Sequence, residues 1–133
     1  LQVAMVASRR EVLFAGGYTY PDDARDDVYT PPRTVIEPGH YRIDELLAAV
    51  DAADMPVVCA GDAAVAFHER IEARLGARLV SVPPTWLRLH SGTVAHLGAL
   101  LLAAGRASSP FELVPEYLRK AEAEIRWQSK FKS

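Results

Sequence analysis

Cysteine is nearly absent: Cys59 stands alone among 133 residues. No internal disulfide can form, so a packed core must hold the chain together, and the composition fits a reducing, cytoplasmic compartment. Excess charge of either sign is also missing, with 15 basic and 17 acidic residues and a net charge of −2. The overall field therefore gives no argument for nucleic acid or an anionic membrane as a partner. The longest apolar run, Val94–Ala104, contains His96 and is too short to span a bilayer. A basic leader is missing too: Leu1-Gln2-Val3 enters a strand-like pattern at once, with no initiator Met. We therefore expect the second half of a longer protein, cut or processed at a domain boundary.

Patterns that carry chemistry are equally scarce. His40, His68, His90 and His96 form neither HxxxH nor HExxH, and the six-residue step from His90 to His96 leaves one helical face. No G-x-S-x-G elbow surrounds Ser8, Ser81 or Ser91. Cys59 lies in an apolar strand and reads as a small buried hydrophobe rather than a nucleophile.

What is present begins with Val3–Tyr18, two strand-like runs joined by the polar turn Ser8-Arg9-Arg10. Apolar residues run almost unbroken on both sides of that turn, which predicts strands covered on both faces. An Asp- and Pro-rich stretch, Pro21–Pro32, has no apolar periodicity and reads as a loop. A short third strand, Thr34-Val35-Ile36, closes at Pro38-Gly39, and Ile43, Leu46, Leu47 and Val50 then recur at helical spacing. A fourth strand at Pro56–Ala60 turns at Gly61 into a helix that Asp62 can cap. Ala64, Phe67, Ile71 and Leu75 share a stripe on that helix, which ends at Gly76. Arg78–Val82 reads as a fifth strand, stopped by Pro83-Pro84. Thr85 can cap a third helix running towards Ala104, with Gly92 able to bend it.

The order is ββ-β-α-β-α-β-α. The first three strands should be antiparallel, and the helix-separated ones parallel by right-handed crossovers. That predicts an α/β chain: one ribonuclease H-like (ASKHA) domain over 1–133 with a mixed five-stranded sheet, of which 106–133 serve as linker and C-terminal strap. A three-layer α/β sandwich with another strand order is the alternative.

A nuclease of this fold needs first-strand carboxylates to hold metal ions, and Leu1–Ala7 has none. A phosphate-binding ATPase needs a glycine in the hairpin turn, and Ala7-Ser8-Arg9-Arg10 has none. No ATP hydrolysis and no metal-dependent nuclease activity are expected. Arg9 and Arg10 could meet an anion, although turn arginines are commonly just solvated. From Pro115 onward five basic residues face three acidic ones, too small an excess to argue for nucleic acid.

The tail carries the most specific pattern. Pro115-Glu116-Tyr117-Leu118-Arg119, followed by Ala123-Glu124, resembles the P-x-Y-x-R…A-E ending of the bacterial TsaB (YeaZ) family. Arg9-Arg10-Glu11-Val12 resembles that family's DAR-x-x-E-V-Y strand pair, with Ala7 at the usual Asp and Leu13-Phe14 in place of Val-Tyr. The resemblance covers the whole chain, as the family's second half. It implies a glycoprotease-like, ribonuclease H-like domain without cofactor, metal or catalytic residues of its own. It implies a scaffold role beside a TsaD-type catalytic subunit and a TsaE-type ATPase, in threonylcarbamoylation of the adenosine next to the tRNA anticodon. tRNA would be met indirectly, and a homodimer would form through the first half. Pro115, Tyr117, Arg119, Ala123, Glu124, Arg9 and Glu11 are then the motif or partner-contact residues. Tyr117 and Leu118 are expected to dock on the domain, leaving Arg119 and Glu124 polar-paired. An enzyme reading competes: half of a glycoprotease-like or acetate-kinase-like enzyme whose cleft needs the other half.

Overall fold

The computed structural model describes residues 1–24, 28–115 and 117–118. Strands β1 (Gln2–Ala7) and β2 (Val12–Thr19) form the expected hairpin, with Ala7 opposite Leu13 and Gln2 opposite Tyr18. Strand β3 (Arg33–Arg42) runs antiparallel to β2. After helix α1 (Ile43–Ala52), strand β4 (Val58–Ala60) pairs in parallel with β1. The sheet order is β3-β2-β1-β4, so β1 is an interior strand with partners on both sides, as its pattern predicts. The chain is mixed α/β.

Cover on both faces was expected of β1 and is not found among the described residues. Val3 and Met5 are buried, while Ala4 and Val6 alternate with them on the other side, Val6 with 55% of its surface exposed. The run looks continuous only because alanine counts as apolar while being too small to specify a face. The helices lie over one side of the sheet. There Val3, Met5, Leu13, Ala15 and Ile36 meet Ile43, Leu46, Leu47 and Val50 of α1 in a single core. Each large aliphatic buried here contributes about 1.5–3 kcal/mol before ordering entropy is subtracted.

Among the described residues four strands form where five were expected. The segment predicted as the fifth does lie parallel to β4, but only through one bridge between Val57 and Leu79. Val57 N–H donates to the Arg78 carbonyl at 2.8 Å, and Val80 N–H to the Val57 carbonyl at 2.8 Å. A 3-10 turn (Gly76–Arg78) leads in, and Pro83 closes the segment before a ladder can extend. The third strand is conversely longer than expected and passes straight through Pro38-Gly39. β3 is an edge strand, and its register against β2 slips near that point, which accommodates a residue without an N–H.

The second predicted helix is two. Helix α2 (Asp62–Ala66) and helix α3 (His68–Leu75) meet at Phe67, whose φ of −110° and ψ of 18° leave helical geometry. Hydrogen bonds from Phe67 N–H to the Ala63 carbonyl and from Ile71 N–H to the Phe67 carbonyl carry the chain across the kink. The stripe survives it: Ala64, Ile71 and Leu75 are buried and Phe67 packs against them.

The third predicted helix starts late. Thr85 lies inside a 3-10 turn (Pro84–Leu87) and caps nothing; its carbonyl sits 2.6 Å from His90 Nε2. Leu87 is held to the domain, packing on the core while its carbonyl accepts from Gly61 N–H at 3.1 Å. Helix α4 (Ser91–Ala103) then leaves the domain with no buried residue. Gly92 sits in its first turn and bends nothing. Its end is as predicted, with Gly105 N–H on the Leu102 carbonyl and Arg106 N–H on the Leu101 carbonyl, a Schellman closure.

Candidate functional site

Of the residues singled out in the sequence, Arg9 and Glu11 fall together at the β1–β2 turn. That turn closes through Ser8 N–H to the Val12 carbonyl at 3.2 Å and Val12 N–H to the Arg9 carbonyl at 3.0 Å. Arg10 completes it with φ of +54°, a left-handed conformation that a side chain with a Cβ adopts at a cost. Replacing Arg10 with glycine is expected to leave stability unchanged or raise it by up to about 1 kcal/mol, read by denaturant unfolding.

Glu11 joins three elements. Its carboxylate accepts from Arg42 Nη2 at 2.9 Å and from Arg70 Nη1 at 3.0 Å. Arg70 Nη2 also donates to Asp44 at 2.5 Å, and the Glu11 carbonyl accepts from Ile43 N–H at 3.0 Å. The hairpin turn, the β3–α1 junction and α3 are thereby pinned to one point. The bond to Asp44 first, then Glu11, raises the Arg70 pKa further above its ordinary value. These groups are solvent-exposed, so the pinning orients the turn more than it stabilises the fold. A comparable cluster at the far end joins Asp51 of α1 to Arg74 and Arg78.

Around the turn opens a concavity of about 630 Å³, lined by Ser8, Arg9, Arg10, Glu11, Val12, His40 and Arg42. His40 tilts its ring against Phe14, with centroids 4.9 Å apart, and its Nε2 is buried with no hydrogen-bond partner among the described residues. Neither His40 nor Arg42 stood out in the sequence. The tripeptide His40-Tyr41-Arg42 gives no signal by itself, because only the pairing of β3 with β2 brings it to the turn.

Asp62 was expected to cap its own helix and does something else. Its Oδ1 accepts from Ala7 N–H at 2.8 Å, fastening α2 to the end of β1. Gly61 takes the cap position, with φ of +112°. Sequence alone identifies the strand-turn-helix junction but not that the aspartate points to a neighbouring strand.

Cys59 is buried as expected, and burial pushes its thiol up to about 11. At pH 8 the native thiol should react with a disulfide reagent about a hundredfold more slowly than in the denatured chain, which a stopped-flow assay would read. Because the folded value lies above the unfolded one, the associated stability is intact below about pH 8.5 and is lost as pH rises towards 11.

Of the tail residues, only Pro115, Tyr117 and Leu118 are described, and none of them lines this concavity. Tyr117 stands 83% exposed and is not docked as expected, whereas Leu118, 36% exposed, is mostly covered. Residues 111–115 are exposed, Pro115 included. Arg119, Ala123 and Glu124 lie outside the described residues. Among the described residues no group of three or more His, Cys, Asp or Glu could hold a metal ion. No described helix is long and apolar enough to cross a membrane. No family model, curated protein or solved structure matches the chain.

Proposed function

We propose that the chain is a non-catalytic scaffold subunit that pairs with a TsaD-type catalytic subunit and, with a TsaE-type ATPase, supports threonylcarbamoylation of the adenosine beside the tRNA anticodon. The observation that carries this reading is the tail motif Pro115-Glu116-Tyr117-Leu118-Arg119 with Ala123-Glu124. The connectivity supports it. Two antiparallel pairings followed by a parallel return beside β1 suit a ribonuclease H-like domain. β1 bears no carboxylate, so chemistry on a metal would fall to the partner. Val94, Leu97 and Leu102 of α4 are exposed, apolar surface better suited to an assembling chain than to one that works alone.

The reading is tested by mixing the chain with a TsaD-type subunit and following complex formation by sedimentation. A stoichiometric complex is expected. Arg119→Ala should weaken it while leaving the melting temperature nearly unchanged. Two species sedimenting independently would count against the proposal.

A further inference from the structure

We propose that the outer edge of β4 receives a short extended peptide segment, an inference that does not rest on the assembly role above. β4 is the last strand of the sheet. In a parallel pairing, alternate residues turn both backbone groups to one neighbour and then to the other. Val58 faces β1, its N–H donating to the Leu1 carbonyl at 2.9 Å. Val57 and Cys59 therefore face outward. Val57 is paired there with Arg78 and Val80, and just beyond Cys59 the Gly61 N–H donates to the Leu87 carbonyl at 3.1 Å. Between those two contacts the chain leaves the edge and returns. The N–H and carbonyl of Cys59 are left without a partner among the described residues. Cys59 is buried, so this unmet pair carries a desolvation cost that a partner would remove.

Beside that edge lies a cleft of about 450 Å³, and Cys59 is among the residues that line it. The volume sits in the lower part of the range for small-molecule sites, about 300–1,000 Å³. With Val57 and Gly61 already engaged, only one residue's worth of backbone pairing is open, so a long added strand does not fit. Chemistry narrows the occupant further. Val65 of α2 and Val80, Val82 and Leu87 of the returning chain give the cleft aliphatic walls. No Arg or Lys lines it to hold an anion, and no Phe, Tyr or Trp to stack a base. Its single carboxylate, Glu72, lies 3.9 Å from His68. What remains is a donor and an acceptor placed as along a strand, next to aliphatic surface. An extended backbone meets both groups by sheet-edge addition and seats a small aliphatic side chain against the walls.

The experiment titrates acetyl-Val-Ala-Val dimethylamide into the chain and follows amide resonances and their hydrogen exchange by NMR. Saturable shifts are expected at Cys59, Val65 and Val80–Val82. In the free chain the Cys59 amide should exchange faster than that of Val58, and it should slow about tenfold when the peptide saturates. The same peptide N-methylated at each of its backbone nitrogens keeps the aliphatic side chains but cannot donate to the Cys59 carbonyl. It should bind about tenfold more weakly. Absence of saturable shifts at millimolar peptide, or equal binding of the N-methylated form, would overturn the proposal. So would a Cys59 amide as protected as Val58 in the free chain, which would show that Ser81 and Val82 close the edge themselves.

Discussion

Replacing Gly61 with alanine is expected to destabilise the domain by about 3 kcal/mol or more, among the largest effects of any single substitution in this chain. Two costs coincide. A φ of +112° lies where L side chains are strained, and a Cβ built there would stand 1.9 Å from the Met5 carbonyl oxygen. That oxygen belongs to the backbone of an interior strand, so it cannot swing aside like the end of a flexible side chain. Relief would require β1 to shift against β2 or β4, or α2 to pull away from Ala7. Gly76→Ala separates the two costs. Gly76 has φ of +51° and open space where its Cβ would be, so only the conformational penalty of about 1–3 kcal/mol applies. Urea unfolding of both variants gives the comparison, and equal losses would show that the approach to Met5 does not matter.

Leu13→Ala should cost about 3 kcal/mol. Leu13 is fully buried on the central strand β2, opposite Ala7 on β1 and Tyr41 on β3, and its side chain faces the core under α1. Ala7 is too small to fill the space left behind. Val6 offers the contrast, one strand away on the uncovered face and 55% exposed, so Val6→Ala should cost less than about 0.5 kcal/mol. Should Val6→Ala cost as much as Leu13→Ala, the sheet would be covered on both sides and the one-sided core described here would be wrong.

That one-sidedness shows what the sequence could and could not convey. The hairpin, the interior place of β1, the apolar stripe of α1 and the helix ends at Gly76 and Gly105 were legible, because each depends on local spacing or local turn chemistry. Cover on the second face was not legible, since Ala4 and Ala7 are apolar without being large enough to require burial. The fifth strand failed through its neighbours: Val80 and Val82 have strand character, but the 3-10 turn before them and Pro83 after them leave room for a single bridge. Helix α4 shows the converse limit. Its composition is apolar, yet none of its residues is buried.

At the site, Arg9 could be named from the turn pattern, and Glu11 only through the family resemblance. Glu11's partners Arg42 and Arg70 could not, because they lie 31 and 59 residues away in the chain, and nothing local encodes the meeting. Asp62 is the same lesson in reverse: a residue type that caps helices is used instead to hold a β-strand 55 residues away.

Reconstitution tests the central claim most directly. A TsaD-type subunit, a TsaE-type ATPase, substrate tRNA and a threonylcarbamoyl donor are combined with and without this chain, and threonylcarbamoyladenosine is quantified by nucleoside mass spectrometry. The scaffold role predicts that modification rises with added chain to saturation near one chain per catalytic subunit, and that the chain alone turns over no ATP. Modification at full rate without the chain, or ATP turnover by the chain alone, would contradict it.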